Sequence, residues 1–363
     1  MHGRASAAAR IASGTRLWPL STAGEPKQLA PLIDGKSLLR VAFERLDGLI
    51  DTDHRWICAG ERHRDAVLRS VPGFDGARFL GEPVGRDTVN AVALTAAVLE
   101  KIDPGCSFAV LTADHLIAPR DVFLDCVRTA FELVEASPER LVTFSITPTF
   151  PATGYGYVER AAPIEHGPTG AFAVSRYVEK PDLETAKRYL QSGRFGWNSG
   201  MFVWRARTVL EALDAFKPES GAGARGIAEA WGTPEQKQVL EAVYPDLPRI
   251  SVDYAIMEPA STDDRFDVCT VVTDVRWRDV GSWSSLAEIL HADGHGNRVS
   301  GGHATLVDCR DSMVFSADEG HHVALLGCDG LTVVRTKDAT LVMPSAMAER
   351  LKELHARLPE NLR

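Results

Sequence analysis

Glycine, arginine and lysine are arranged near the start of the chain in a pattern suited to holding phosphate. The segment S-G-T-R-L-W-P-L (13–20) is followed by P-K-Q (26–28). Gly14 lets the backbone approach an anion closely, and backbone N–H groups at such a turn donate to phosphate oxygens. Arg16 can add a bidentate charge-assisted pair and Lys27 a point charge. The segment predicts a phosphate site, the alternative being a surface turn with two solvated cations.

Further blocks follow in a fixed order along the chain. They are G-E-P-V-G-R-D-T (81–88), L-T-A-D-H (111–115), T-G-Y-G-Y-V-E (153–159), V-E-K-P-D (178–182), W-N-S-G-M-F (197–202), S-V-D-Y-A-I-M-E (251–258) and W-R-D-V-G-S-W (277–283). With the first segment, the set resembles the sugar-1-phosphate nucleotidyltransferases. Trp18, after Arg-Leu, and Gln28, after Pro-Lys, resemble the residues at these positions in the mannose-1-phosphate guanylyltransferases. The resemblance extends from about residue 13 to about residue 345.

This resemblance implies an enzyme that transfers GMP from GTP to mannose 1-phosphate with the help of Mg²⁺ and releases pyrophosphate. The nucleophile is already an anion, so the chemistry requires cations in a preorganised cleft and no activated serine or cysteine. Two alternatives stay open. One is a related nucleotidyltransferase with another nucleotide or hexose 1-phosphate, and the other is a non-catalytic paralogue that binds a nucleotide sugar.

Two isolated aspartates are candidates for the metal site. Asp114 follows a buried strand-like run, and Asp279 stands beside a glycine in W-R-D-V-G. Mg²⁺ takes one or two carboxylates and completes its shell with phosphate oxygens and water. The resemblance assigns both aspartates to the metal. The structural alternatives are a helix N-cap for Asp114 and a turn residue for Asp279. We expect His115 to orient the loop and not to act as a base.

Among the other site residues, Glu82 is predicted from its hydrogen-bonding capacity and loop position, and the sugar-phosphate contacts are implied by the resemblance. Glu82 could accept both N1–H and N2–H of guanine. Lys180, before a proline that favours extended backbone, would hold the sugar phosphate, and Glu179 a sugar hydroxyl. Tyr155, Tyr157 and Trp197 are interpreted as walls and core. The predicted catalytic residues are Arg16, Lys27, Asp114 and Asp279. The predicted nucleotide contacts are Ser13, Gly14, Thr15, Arg16, Lys27, Glu82, Arg86 and Thr88. The predicted sugar-phosphate contacts are Gly154, Glu179, Lys180, Asn198 and Asp253.

Composition narrows the class of protein. The 363 residues are 45% hydrophobic and 25% charged with a net charge of -9, which argues against a non-specific nucleic-acid binder. Without an apolar run of about 18 residues, we expect no membrane span. Six cysteines without close pairs indicate reduced thiols, so we expect a cytoplasmic protein without a disulfide framework or zinc site. A homodimer is left open.

Strand-like runs alternate with amphipathic helical segments through the first two thirds of the chain. Strands are expected at 55–59, 107–112 and 141–146, helices at 62–70 and 121–136, and a helical excursion at 217–238. The alternation predicts an α/β fold with a doubly wound, mostly parallel sheet.

The last part of the sequence has a different texture. Turn-rich short strands after about residue 292 predict a small all-β domain, which the resemblance makes a left-handed β-helix. A terminal helix is expected at 345–358, with Met347, Leu351, Leu354 and Leu358 on one face. We therefore expect domains at 13–291 and 292–363.

Residues 1–12 depart from the family pattern. Relatives place an apolar strand here that ends in two glycines, whereas this chain has A-A-A-R-I-A (7–12). We therefore treat 1–12 as an atypical segment and expect a frayed or absent first strand. Ile11 and Ala12 would also weaken GTP binding, and they are the support for the non-catalytic alternative.

Overall fold

The computed structural model describes residues 4–8, 15–22, 24–318 and 320–362; for 4–8 and 15 it describes the backbone alone. The chain divides into two compact units. The first comprises the described parts of Met1–Arg10, with Ala42–Thr112 and Ile117–Trp277. The second comprises the described parts of Ile11–Val41, with Ala113–Leu116 and Arg278–Arg363.

The first unit is built on one mixed sheet. Its strands within the described residues are β1 (Arg4–Ala8), β4 (Arg55–Gly60), β5 (Phe79–Glu82), β6 (Ser107–Leu111), β8 (Arg140–Ile146), β9 (Tyr157–Pro163), β10 (Ala171–Val178), β11 (Phe195–Arg205) and β12 (Asp267–Thr273), in the order β5-β4-β1-β6-β11-β8-β12-β10-β9. Along the run β5-β4-β1-β6 all neighbouring strands pair in parallel, and β8 pairs in parallel with β12. Strands β9, β10 and β11 pair antiparallel, which the sequence alternation did not reveal.

Helices of this unit cover the sheet with apolar side chains. They are α2 (Arg64–Ser70), α3 (Asp87–Ile102), α4 (Arg120–Ala136), α5 (Leu183–Ser192), α6 (Ala206–Phe216), α7 (Pro218–Ala230), α8 (Gln236–Val243) and α9 (Glu258–Ala260). Helix α1 (Leu38–Glu44) starts in one unit and ends in the other. A buried cluster joins α3 and α6 to β6 and β11, with Phe108 and Trp204 fully buried. The predicted strands and helices of this region are confirmed, and so is the α/β fold class, but the expectation of a mostly parallel sheet is wrong because β9, β10 and β11 pair antiparallel.

The expectation of a frayed or absent first strand is wrong. The backbone of β1 pairs in parallel with β4 from Ser6 to Ala8 and with β6 from Arg4 to Ala8. A strand with a neighbour on each side forms two hydrogen-bonded ladders, and this context overrides the low intrinsic β-propensity of alanine and arginine. Ile11 and Ala12 lie outside the described residues.

The second unit contains the stacked coils of a short β-helix. Strands β14 (Arg298–Gly301), β16 (Met313–Ser316) and β18 (Leu331–Arg335) pair in parallel, as do β15 (His303–Val307) and β17 (His322–Leu326), and β19 (Thr340–Pro344) closes the sheet antiparallel to β18. The β-hairpin of β2 (Pro31–Ile33) and β3 (Lys36–Ser37) and helix α10 (Trp283–Ala287) belong to this unit. Its core contains Trp18, Trp283 and Phe315, and the ring centroids of Trp283 and Phe315 are 5.3 Å apart. The other strands, β7 (His115–Ala118) and β13 (Arg276–Asp279), form a two-stranded sheet.

The prediction of one continuous terminal helix at 345–358 is wrong. A 3-10 helix over Ser345–Arg350 is followed by α11 (Leu351–His355). Leu351 is buried, whereas Met347 and Leu354 are exposed. The 3-10 turn changes the angular spacing, so residues three and four apart do not share the face that an α-helix would give them.

Two expectations about the chain as a whole can be compared with the structure. All six cysteines are free thiols. Among the described residues, the structure contains no helix long and apolar enough to cross a membrane.

Gly301 has a conformation that the β-helix requires. It ends β14 with a φ of +66°, and a Cβ built there would lie 2.0 Å from the Ser316 carbonyl oxygen of the next coil. Gly301→Ala should therefore lower the free energy of unfolding by about 1–3 kcal/mol. Chemical denaturation measures this change. Gly294→Ala is the control, because no atom lies within 4 Å of its Cβ position. Equal stability of the two variants would contradict the prediction.

Candidate active site

Two strand ends bring the predicted metal aspartates together within the second unit. Asp114 follows the fully buried strand β6, as the sequence predicted, and Asp279 is the last residue of β13. The backbone N–H of Val280 donates to the carbonyl oxygen of Asp114 at 3.1 Å. This hydrogen bond fixes the two loops against each other, so their carboxylates are held on one side of the unit.

Lys27 lies between the two aspartates. Its Nζ is 2.9 Å from Asp114 Oδ2 and 3.4 Å from Asp279 Oδ1, and it donates to the Val280 carbonyl oxygen at 2.9 Å. The lysine is 8% exposed. The structure therefore brings these three predicted residues together, but it gives the ammonium carboxylate partners where the sequence predicted phosphate.

His115 adds a third group to the aspartates. One ligand atom each from Asp114, His115 and Asp279 lies within 4.8 Å of the others. Two carboxylates and an imidazole form a donor set that fits a divalent metal such as Mg²⁺, Mn²⁺ or Zn²⁺. The imidazole Nε2 lies 3.8 Å from Asp114 Oδ1. Sequence reasoning missed this possible ligand, and the available signal was its position directly after Asp114 at a strand end.

The electrostatics of Asp114 favour a charged carboxylate. Burial alone raises its pKa, but the Lys27 ammonium and His115, together with hydrogen bonds, more than offset this effect and leave the pKa below its usual value. The fully buried Gln28 donates through Nε2 to Asp114 Oδ2 at 3.4 Å. Its Oε1 is buried and has no partner among the described residues. The carboxylate is thus held ionised, as a metal ligand must be.

Arg16 lies beside the same cluster. A Cβ on Gly281 would be 3.4 Å from an Arg16 Nη and 3.5 Å from both Asp279 carboxylate oxygens, so the glycine keeps a narrow gap open. The other Arg16 Nη is 3.3 Å from Glu349 Oε2, and both side chains are about half exposed. Ser13 and Gly14 lie outside the described residues, as does the side chain of Thr15, so their phosphate contacts stay predictions.

Three predicted sugar contacts meet in the first unit. Asn198 Nδ2 donates to Asp253 Oδ1 at 2.8 Å, and both line a cavity of about 30 Å³ with Glu179. An irregularity of β11 between Asn198 and Phe202 directs the amide, which also accepts from the Gly200 N–H at 3.1 Å. Asp253 begins a π-helical turn over Asp253–Met257, a feature common at functional sites.

Lys180 is held by its neighbour and has unusual backbone geometry. Its Nζ lies 2.6 Å from Glu179 Oε1. Extended backbone was expected before Pro181, and this expectation is wrong, because the φ of Lys180 is +41°. A non-glycine residue in the left-handed region is strained, and such residues concentrate at functional sites. The exposed ammonium is therefore presented on a constrained loop.

The glycines of the T-G-Y-G-Y block differ in their surroundings. A Cβ on Gly156 would lie 2.7 Å from Glu179 Oε2 and 3.4 Å from the Cβ of Asn198. At Gly154, by contrast, no atom lies within 4 Å of the Cβ position, so its sugar contact stays a prediction. The structure identifies Gly156 as the glycine that allows the predicted sugar residues to approach the backbone, a position that sequence reasoning missed.

Aromatic rings support this region from within. Tyr157 and Trp197 are buried, and the Tyr155 ring centroid is 5.3 Å from that of Trp197 and 5.1 Å from that of Trp277. Edge-on ring contacts of this kind stabilise packed aromatic clusters. The interpretation of Tyr155, Tyr157 and Trp197 as walls and core is confirmed.

Two of the predicted nucleotide contacts, Glu82 and Thr88, have protein partners in the structure. Glu82 ends β5, is 3% exposed, and its Oε1 accepts the Tyr244 hydroxyl at 2.6 Å. Thr88 Oγ1 accepts the Val252 N–H at 2.8 Å. Arg86, just before α3, has a buried Nε without a partner among the described residues. The nucleotide roles of these residues stay predictions. The burial of Glu82 and its hydrogen bond from Tyr244 favour a structural role for this carboxylate.

Comparison with known proteins gives two family matches along the chain. The family model described as nucleotidyl transferase matches residues 12–295. The model described as a MannoseP isomerase/GMP-like beta-helix domain matches residues 302–358.

Similar proteins cover nearly the whole chain. A mannose-1-phosphate guanylyltransferase from Escherichia coli is 36% identical over 97% of this chain and 73% of its own length. One from Salmonella montevideo is 38% identical over 94% of this chain and 71% of its own. The crystal structure of a protein from Thermus thermophilus, described as a mannose-1-phosphate geranyltransferase, has a TM-score of 0.84 and 32% identity over 98% of both chains.

The carboxyl group of Asp253 is tuned by its surroundings. Burial raises its pKa, the hydrogen bond from Asn198 lowers it, and the nearby Glu179 carboxylate raises it, so that the pKa lies above its usual value. A raised pKa in the folded state means that the ionised carboxylate destabilises the fold. This penalty is present at neutral pH and disappears as the pH falls through the folded-state pKa toward the unfolded value of about 3.9.

Asp253→Asn should therefore raise the melting temperature at pH 7, and the gain should shrink toward pH 4. Thermal melts from pH 4 to pH 8 measure this difference. Asp263→Asn is a control of opposite sign, because its Arg265 partner lowers the pKa of Asp263 to about 2. The control should lose a little stability at pH 7. A lower melting temperature of Asp253→Asn at pH 7 would show that the carboxylate supports the fold.

Proposed function

The chain belongs to the nucleotidyl transferase family, and we propose that it is a mannose-1-phosphate guanylyltransferase that transfers GMP from GTP to mannose 1-phosphate. The names of the Escherichia coli and Salmonella montevideo relatives support this substrate pair. The six free thiols fit a reducing compartment, and we propose that the reaction takes place in the cytoplasm.

The observation that carries the proposal is the cluster of Lys27, Asp114 and Asp279. Nucleotidyl transfer joins two phosphate-bearing substrates, so the protein must supply cations where negative charge concentrates. Family members generally use a divalent metal. We propose Mg²⁺ for this chain, held by Asp114 and Asp279, with His115 within reach. When bound, the ion neutralises phosphate charge and orients the α-phosphate.

The bond changes need no protein base. An anionic phosphate oxygen of mannose 1-phosphate forms a bond to the α-phosphorus of GTP, and the bond from that phosphorus to the bridging oxygen of the β-phosphate breaks. Pyrophosphate leaves with the bonding electron pair. In our proposal Arg16 and Lys27 stabilise the charge that develops on the phosphate oxygens.

The sugar subsite of the proposal consists of Glu179, Asn198 and Asp253. Carboxylate and amide groups accept and donate hydrogen bonds to vicinal hydroxyls. Their shared cavity of about 30 Å³ holds about one water molecule, so in our proposal exposed side chains of its lining, such as Glu179 and Tyr254, move when a hexose binds. Lys180 would bind the sugar phosphate and give up its contact with Glu179.

Product analysis with a substrate panel tests the proposal. GTP, ATP, UTP and dTTP are each combined with mannose 1-phosphate or glucose 1-phosphate in the presence of Mg²⁺. We expect GDP-mannose and pyrophosphate from GTP and mannose 1-phosphate as the preferred pair. Preference for another pair would favour the related nucleotidyltransferase. Binding of GDP-mannose without turnover of any pair would favour the non-catalytic alternative.

Asp279→Asn should retain the fold and lower kcat by at least about 100-fold, because the amide keeps the shape but loses the charge. Steady-state pyrophosphate release at saturating Mg²⁺ measures the loss. Asp338→Asn removes an exposed carboxylate of the same unit and should retain activity. Turnover by Asp279→Asn at the wild-type level would remove Asp279 from the site.

Lys180→Ala should weaken mannose 1-phosphate binding more than GTP binding. Because the ammonium is exposed, we expect a loss near the lower end for charge-assisted hydrogen bonds, about 1.5 kcal/mol or roughly tenfold in Kd. Calorimetric titration with each ligand measures the two changes. Lys187→Ala on α5 is the matched control, since it removes another exposed lysine of the same unit. An equal loss for both ligands would indicate a structural role.

A further inference from the structure

The Lys27 ammonium has no spare hydrogen-bond donor. An ammonium offers three N–H groups. Three acceptors surround Nζ: Asp114 Oδ2 at 2.9 Å, the Val280 carbonyl at 2.9 Å and Asp279 Oδ1 at 3.4 Å. In this arrangement Lys27 therefore cannot also donate to a phosphate, although a cation at this position is what the proposed reaction needs.

The same ammonium occupies the space between the two carboxylates that would hold the metal. Asp114 and Asp279 are the carboxylates of the candidate metal cluster, and Lys27 contacts both. A divalent ion that binds both aspartates would lie within a few ångströms of Nζ. Repulsion between these cations is strong where water is largely excluded, and the Lys27 side chain is only 10% exposed.

We propose that Lys27 is a tethered counterion that competes with the free divalent ion for Asp114 and Asp279 and yields to it when a nucleoside triphosphate binds. The inference rests on the proposed function for the identity of the metal site. Without nucleotide, the ammonium neutralises one of the two negative charges and keeps the carboxylates close together. With nucleotide, phosphate oxygens accept the three hydrogen bonds that Lys27 loses.

The two loops that carry Asp114 and Asp279 do not need to rearrange for this exchange. The Val280 N–H donates to the Asp114 carbonyl, and the Gly281 N–H donates to the Asp279 carbonyl at 2.9 Å, so backbone hydrogen bonds position both loops. Gln28 holds Asp114 Oδ2 from the other side. Only the flexible lysine side chain has to move. Lys27 therefore acts on metal affinity as a specificity residue: it favours the metal–nucleotide complex over the free ion.

Binding of free Mn²⁺ tests the inference without catalysis. Electron paramagnetic resonance measures Mn²⁺ bound to the full chain in the absence of nucleotide. We expect Lys27→Met to bind Mn²⁺ at least about tenfold more tightly than the wild type, because the competing charge is gone. Lys352→Met, which removes an exposed lysine of the same unit, should match the wild type. The gain should vanish in the double variant Lys27→Met/Asp279→Asn, which locates it at this cluster.

Other results of these measurements would contradict the inference or the proposed function. Unchanged or weaker Mn²⁺ binding by a folded Lys27→Met overturns the inference, and Lys27→Gln repeats the test if the methionine variant does not fold. GDP-mannose formation by the wild type, measured separately, distinguishes failure of this inference from failure of the proposed function. If the wild type turns over while Lys27→Met shows no gain in Mn²⁺ affinity, the competition fails and the proposed function stands. If the wild type forms no nucleotide sugar, the proposed function fails by itself.

Discussion

The second unit depends on the neutralisation of two aspartates that it holds side by side. Asp114 and Asp279 would repel each other in a partly dry environment, and burial alone would drive Asp114 toward its neutral form. The Lys27 ammonium reverses this tendency and keeps the pKa of Asp114 low. The loop hydrogen bonds, the narrow gap at Gly281 and the amide of Gln28 are arranged around this ion cluster, which makes it the electrostatic centre of the candidate site.

Sequence reasoning identified the residue types of this centre but not their partners. Asp114 could be predicted because a buried strand precedes it, and ligand groups collect at the carboxyl ends of strands. The contact between Lys27 and Asp279 spans 252 residues, and no local pattern reports such a separation. The pairing of Glu82 with Tyr244, 162 residues apart, was hidden for the same reason. A hydrogen-bonding capacity can be read from a sequence, but the group that uses it depends on the tertiary fold.

Local propensity failed where tertiary context is strongest. β1 has a composition that is poor for a strand, yet it lies inside the sheet, where two neighbours determine its conformation. Lys180 precedes a proline, which favours extended backbone, but it has a positive φ. The regular α/β part was predictable, since its alternation of strands and helices is repeated over many residues. The exceptions lie in or near the predicted phosphate and sugar segments.

The unit that holds the ion cluster is discontinuous in sequence, and this affects how the protein can be synthesised. Lys27 is synthesised before Asp114, which lies in the short segment Ala113–Leu116, and Asp279 follows 252 residues after Lys27. At about 5–20 residues per second, translation separates the lysine from its second carboxylate by roughly 10–50 seconds. During that interval the first unit can gather its strands and helices, whereas the ion cluster cannot form. The ion cluster can therefore form only after nearly all of the first unit has been synthesised.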